Sequence, residues 1–218
     1  MSVNLSVIIP CYHNESSKYN VTQRCLNALK NSVTCEICIV ENINSWCNSQ
    51  SNIYVHYPEG RTYAQNVNTG LKLVNGEYIA VLSNDAIVPN GWYSAMLDCF
   101  KDEKCGIACI DSTQYARPAV DTITEDFFGS FWMAKREVIE KVGLFDENFV
   151  HAFDDADYWV RVYKSGYKIL MNRKVQVQHK SGGTIYGFVN HNEQFAKMRE
   201  LFNNKHMDCE LDIFKCLR

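Results

Sequence analysis

Residues 78–91 read YIAVLSNDAIVPNG. The apolar run Ile79-Ala80-Val81-Leu82 passes directly into Ser83-Asn84-Asp85, and a Pro-Asn-Gly turn follows. A short β-branched run bounded by turn residues reads as a buried strand. A plain loop has no need of a lone carboxylate where such a strand surfaces; a metal-bound phosphate does. Upstream, LSVIIP (5–10) is a strand ended by Pro10, CEICIV (35–40) a second, and IYV (53–55) a short third. Residues 18–32 place Val21, Cys25, Leu26 and Leu29 at helical spacing, and residues 62–75 read as a helix closed by Gly76. Strands alternating with helices at these distances predict an α/β fold with a mixed, mostly parallel sheet between helices. Ligands of such sheets gather at the carboxyl ends of the strands. Segments ending near Pro10, Glu41 and Asp85 are therefore expected on one rim.

Downstream the pattern continues without a linker. WYSAMLDCFKD (92–102) reads as a helix, CGIACID (105–111) as a strand, and residues 112–126 as a polar loop. KVQVQH (174–179) reads as a strand ending on His179, and the tail from about 192 as an amphipathic helix. One compact domain over 1–218 is expected, with a nucleotide half (1–91) and a second half (92–218) closing the site. The chain ends abruptly after FKCLR, which leaves room for further domains of a longer protein.

Bulk properties exclude some classes. A net charge of -3 argues against nucleic acid as the main partner. No apolar stretch approaches the roughly 18 residues of a membrane span, and MSVNLSVIIP has no basic region of the kind that opens a signal peptide. The ten cysteines then fit reduced thiols in a cytoplasm. Cys35 and Cys38 have CxxC spacing but lie in a strand-like run with no second ligand pair. CYHNESS lacks the glycines of a phosphate loop, which disfavours a sugar nucleotidyltransferase or a dinucleotide-dependent dehydrogenase.

The acidic group in FDDADYWVRVYKSGYKI (153–169) is the sharpest feature. Asp154, Asp155 and Asp157 repel one another. A helix starting here favours carboxylates at its N-terminus, and Arg161 stands four residues after Asp157. That accounts for one or two of the three.

Taken in order, SVIIPCYHN, IVENINS, AQNVNTG, VLSNDAIVPNGW, GSFWMAKREVIEKVGLFDENF, FDDADYWVRVYKSGYKI and HKSGG resemble the family 2 glycosyltransferases of the GT-A fold. The texture is similar to the rhamnosyltransferase-like branch and, more weakly, to enzymes of large algal viruses, which would act in a host cytoplasm. The likeness spans about residues 3–185. It implies an inverting hexosyltransferase using a UDP- or dTDP-sugar, Mn²⁺ or Mg²⁺, and a glycan or glycoprotein acceptor. It places the family's DxD motif on Ser83-Asn84-Asp85, with Asp85 the surviving metal ligand and Ser83 in place of the first carboxylate. A late His that completes the metal shell falls on His179, with Lys180 beside the diphosphate. Glu41 takes the position of a carboxylate that contacts base or ribose. Pro10, Tyr12 and Asn14 line the first strand end, and Arg61 and Asn68 the nucleotide or its phosphates. Asp155 falls on the catalytic base and Asp154 on its acidic helper. Gly129, Trp132 and Asp157 fall in the sugar and acceptor pocket. Thr124-Glu125-Asp126 spells the base motif of processive relatives, but it precedes GSFWM, so it is expected on a loop or the acceptor side. Asp146 is expected to be structural. A non-catalytic nucleotide-sugar-binding module would share Glu41 and Asp85 and differ at Asp155.

Overall fold

A computed structural model describes residues 4–13, 19–46, 51–150, 152–179 and 191–207. Its strands are β1 (Leu5–His13), β2 (Glu36–Ile43), β3 (Ile53–Tyr57), β4 (Tyr78–Leu82), β5 (Cys105–Ser112), β6 (Ile123–Glu125), β7 (Phe131–Lys135) and β8 (Lys168–Val177). The helices are α1 (Tyr19–Ser32), α2 (Tyr63–Leu73), α3 (Trp92–Cys99), α4 (Arg136–Val142), α5 (Asp154–Lys164) and α6 (His191–Lys205). All eight strands form one sheet, ordered β3-β2-β1-β4-β7-β5-β8-β6. The result is a single compact α/β domain.

Strand direction decides where chemistry can gather. β1 runs parallel to β2 and β4, and β2 parallel to β3. β7 is antiparallel to both β4 and β5, so β5 points the same way as β4. β8 is parallel to β5, and β6 opposes β8. Only β6 and β7 are reversed. The carboxyl ends of β1, β2, β4, β5 and β8 therefore meet at one rim, together with the start of β7 and the amino ends of α2 and α5.

Local chemistry explains these boundaries. Thr62 caps α2 in a reciprocal box: its hydroxyl accepts from the Gln65 backbone at 3.2 Å, and the Gln65 side chain accepts from the Thr62 N–H at 3.0 Å. Gly70 lets α2 lie on β1, since a methyl there would meet Ile8 Cγ2 at 2.5 Å. The helix ends at Leu73 rather than at Gly76. Gly76 instead allows a close backbone approach, its N–H donating to Ser6 Oγ at 2.8 Å. β1 runs through Pro10 to His13 rather than stopping there. Beyond Ile8 it pairs with β2 and no longer with β4, so a residue without an N–H is tolerated at Pro10. β6 is a short edge strand inside the expected polar loop; its three residues carry half-exposed or exposed side chains and little apolar signal.

Trp92, Trp132, Trp159, Tyr158, Phe131 and Phe149 are the largest fully buried side chains. Burial pushes the Cys35 and Cys38 thiols up to about 12. At that value neither is a ready metal ligand or redox nucleophile. No described helix is long and apolar enough to cross a membrane.

Candidate active site

At the end of β4, Ser83-Asn84-Asp85 forms a turn closed by Ala86 N–H on Ser83 C=O at 3.0 Å. Asn84 is buried and donates to Thr22 Oγ1 of α1 at 2.9 Å, which fixes the turn against the fold. Asp85 is left to face the site. Its Oδ1 is buried with no hydrogen-bond partner among the described residues. His179 Nε2 lies 3.3 Å from that oxygen, and the two side chains are only 8% and 9% exposed. Ile87 pairs with Gln178 as an antiparallel bridge, which carries the segment after β8 alongside the segment after β4. Two residues 94 positions apart (179 − 85) thus converge. An unpaired carboxylate oxygen beside an imidazole nitrogen suits Mn²⁺ or Mg²⁺ sharing its shell with diphosphate and water. No group of three or more ligating side chains occurs among the described residues, so this donor set needs ligands from a substrate.

Phe128-Gly129-Ser130, between β6 and β7, joins this pair to the acidic helix. Ser130 C=O accepts from Ser83 N–H at 2.8 Å. The Phe128 ring stands edge-on to His179, centroids 5.5 Å apart. Gly129 lies against Asp155: a methyl built on it would overlap Asp155 Oδ2. The metal-side pair and Asp155 therefore both adjoin the backbone segment Phe128-Gly129-Ser130.

α5 begins at Asp154 after Phe153, whose φ of 64° sets the left-handed entry. Asp154 is 8% exposed and accepts from Asp155 N–H at 3.1 Å. Asp155 Oδ1 accepts from Ala156 N–H at 2.7 Å. Burial, then the Asp155 charge, pushes Asp154 up to about 7; burial raises Asp155 as well. Two close carboxylates titrate as a pair. Burial and the mutual repulsion of the two carboxylates hold a proton on the pair above the ordinary carboxylate range. Tyr63, the first residue of α2, is half-buried near this pair, with its hydroxyl buried and without a hydrogen-bond partner among the described residues. Burial and the Asp154 charge push that phenol well above its ordinary range.

Other expected site residues fall differently. Asp157 is fully buried and accepts from Arg161 Nε at 2.9 Å, Lys205 Nζ at 2.7 Å and His206 Nε2 at 2.9 Å. It pins α6 to α5, with both of its oxygens engaged inside the protein. Trp132 is also fully buried, 5.9 Å from Phe145 and Tyr158 in an aromatic stack, so it backs the site rather than lining it. Asn68 spends its amide on Phe145 and Glu147: Nδ2 donates to the Phe145 C=O at 2.9 Å and Glu147 Oε1 at 2.8 Å, and Oδ1 accepts from Phe145 N–H at 2.8 Å. It clips α2 to the GLFDE segment rather than reaching a nucleotide. Glu41 is fully buried, and its Oε2 accepts from Trp46 N–H at 2.9 Å and Tyr54 Oη at 2.7 Å. Pro10 is buried within β1.

Tyr12 and Arg61 do stand at the rim, half-buried. Arg61 stacks on the Tyr57 ring at 3.8 Å and keeps a buried Nε without a partner, while its C=O accepts from Asn42 Nδ2 at 3.0 Å. Asn14 and Lys180 lie outside the described residues. Glu125 pairs with Lys168 at 3.3 Å and Asp126 with Arg117 at 3.3 Å, consistent with TED being no part of the acid–base pair. Asp146 ties the GLFDE segment to Lys205 at 2.5 Å, a structural bond. Hollows of about 480 and 350 Å³ on the outer face of α6 and beside Lys30 and Cys35 include none of the candidate residues. Tyr63 and Gln114 stand in none of the quoted motifs; only the Thr62–Gln65 capping box marks Tyr63 as lying at a helix start.

The fold is similar to several solved structures. TarS of S. aureus, residues 1–349, aligns with a TM-score of 0.70 at 12% identity over 96% of this chain and 67% of that one. The mannosyltransferase PcManGT from Pyrobaculum calidifontis, in complex with GDP-Man and Mn²⁺, aligns at 0.67 and 19% identity over 84% of this chain and 59% of that one. GalNAc-T7 with UDP, GalNAc and Mn²⁺ aligns at 0.67 and 13% identity over 91% of this chain and 48% of that one. The chain thus spans between about half and two thirds of these proteins. None of the curated proteins compared matches it. The model of glycosyl transferase family 2 matches residues 6–209, nearly the whole length, and the chain belongs to that family.

Proposed function

We propose that this domain transfers a hexose, with inversion, from a UDP- or dTDP-sugar to a hydroxyl of a glycan or glycoprotein acceptor in the cytoplasm. L-rhamnose is the first sugar to test, on the texture of its motifs, with glucose and galactose behind it. The observation that carries the reading is the shared rim: the unpaired Asp85 oxygen with His179 on one side of Phe128-Gly129-Ser130, and Asp155 on the other. A divalent cation held by Asp85 and His179 would offset the charge that develops on the diphosphate as it leaves. Asp155 accepts the acceptor hydroxyl's proton while that oxygen forms its bond to the anomeric carbon. The bond from that carbon to the diphosphate breaks on the opposite face, and the electron pair leaves with the nucleotide. Neutral Asp154 keeps a second negative charge away from the base. Arg61 and Tyr12 fit the nucleotide side, where an Arg fork suits phosphate.

Thermal shifts with UDP-, dTDP- and GDP-sugars, each with and without Mn²⁺, test the donor half. Stabilisation by a pyrimidine diphosphate sugar only when Mn²⁺ is present is expected; no response to any of them would sink it. Gly129→Ala tests the geometry of the base. The new methyl displaces the tip of a side chain rather than backbone, so the fold survives while the carboxylate is turned. Turnover should fall on the order of 10–100-fold, with the donor-dependent thermal shift unchanged. Unaltered turnover would mean that the position of Asp155 does not matter.

A further inference from the structure

The polar loop after β5 reaches His179 through the Gln114 side chain. We infer that Gln114 is a positioning residue: its side-chain oxygen holds the proton of His179 on Nδ1, so that Nε2 faces the Asp85 side as a bare lone pair, ready for a divalent cation. The inference rests on the metal reading of Asp85 and His179 and names a residue that neither the motifs nor the family match singles out.

Three observations carry it. His179 Nδ1 lies 2.8 Å from Gln114 Oε1. An amide oxygen can only accept, so the amide in this orientation calls for the proton on Nδ1. On the other side, Nε2 lies 3.3 Å from Asp85 Oδ1, yet that oxygen has no hydrogen-bond partner. The in-plane direction of Nε2 misses that oxygen, so no ring N–H bond holds the carboxylate. Instead a carboxylate oxygen and an imidazole nitrogen stand side by side, both acceptors, as they would around a cation. Gln114 is itself held in place. It sits in the 3-10 turn Thr113–Tyr115, where its N–H donates to Ser112 Oγ at 3.3 Å, and Ala116 closes the turn at φ 51°.

The opposite state is easy to describe. With the amide turned over, its NH₂ group donates to Nδ1, the ring proton moves to Nε2, and a small rotation of the ring then lets Nε2–H bond to Asp85. That arrangement joins His179 to Asp85 directly and leaves neither free for a cation. The orientation of one amide thus selects between a metal-ready pair and a closed one. Bonds from a ligating His to a neighbouring acceptor are a general means of fixing its tautomer.

Two readouts test this on the whole chain. The first needs no metal: ¹⁵N chemical shifts of the His179 ring, in buffer alkaline enough to keep it neutral. The parent should show Nδ1–H, and Gln114→Leu should show mostly Nε2–H. Gln114→Glu also offers only acceptors and should keep Nδ1–H. The second is Mn²⁺ binding with UDP present to supply the remaining ligands, followed as the loss of the free-ion electron paramagnetic resonance signal beyond that caused by UDP alone. Gln114→Leu should weaken binding about 10–100-fold, while Gln114→Glu stays within a few-fold of the parent. Thermal midpoints without metal should agree among all three, since the Gln114 side chain is only partly buried at the surface. An Nε2–H parent overturns the inference and leaves the proposed transferase standing. Equal Mn²⁺ affinity in parent and Gln114→Leu does the same. A parent that takes up no Mn²⁺ even with UDP present overturns the metal reading together with the inference.

Discussion

Asp155→Asn is expected to lower kcat by about 10²–10⁴-fold, with the donor thermal shift and the unfolding midpoint retained. Asparagine fills the same space against Gly129 but has no basic oxygen to take a proton. Asp154→Asn should behave in the opposite way. Asp154 is the member of the pair pushed up to about 7, so an amide imitates the state it already holds near neutrality. Turnover near neutral pH should stay within about tenfold of the parent. The pair also sets a pH dependence. The base must be ionised, so kcat/KM climbs with pH as the pair loses its first proton.

Stability moves the other way. The folded pKa of Asp154 lies above its unfolded value of 3.8, so its contribution is complete below about 3.8 and is lost as pH rises through about 7. Each pKa unit is worth about 1.4 kcal/mol, so removing that charge stabilises Asp154→Asn over the parent by up to roughly 4 kcal/mol above neutrality and hardly at all in acid. Denaturant melts at two pH values measure it. Full turnover in Asp155→Asn, or equal losses in both variants, would assign the base to the wrong carboxylate.

How far the site could be read from the sequence varies by residue, for physical reasons. The parallel rim was legible because β-branched runs such as LSVIIP and YIAVL separated by helical spacing leave little choice of topology. Asp85 and His179 were legible as separate strand-end residues, and the fold supplies their meeting. Asn68, Trp132 and Asp157 show the limit. Each sits in a motif shared with site residues, yet a motif does not say which way a side chain faces. Asn68 is one helical turn from Ala64 and Leu71, both buried, and it turns inward with them. Gln114 stands in a loop without periodicity, and its role follows from a contact 65 residues away. Element ends were misjudged where pairing partners decide them, as at Pro10.

Asp157→Ala gives the largest expected loss of stability, about 3–5 kcal/mol, and it separates two readings of that residue. If Asp157 served an acceptor sugar, removing it would raise acceptor KM and leave the fold alone. Its surroundings point elsewhere. The carboxylate is fully buried, with one oxygen taking Arg161 and the other shared by Lys205 and His206. Deleting it leaves a cluster of donors inside the protein without their acceptor. His206 and the Arg161 headgroup already hold one buried nitrogen each without a partner, so the site has no spare acceptor to substitute. The loss falls on the contact between α5 and the end of α6, and Lys205 keeps only its bond to Asp146. Limited proteolysis should therefore cut first beyond α5 in the variant, at protease levels the parent withstands. Asp157→Asn keeps the shape and one acceptor oxygen, so it should lose less than the alanine variant. Turnover should fall through the displaced start of α5, in parallel with donor- and acceptor-saturated rates, rather than through acceptor KM. A variant that melts like the parent but binds acceptor poorly would return Asp157 to the sugar pocket.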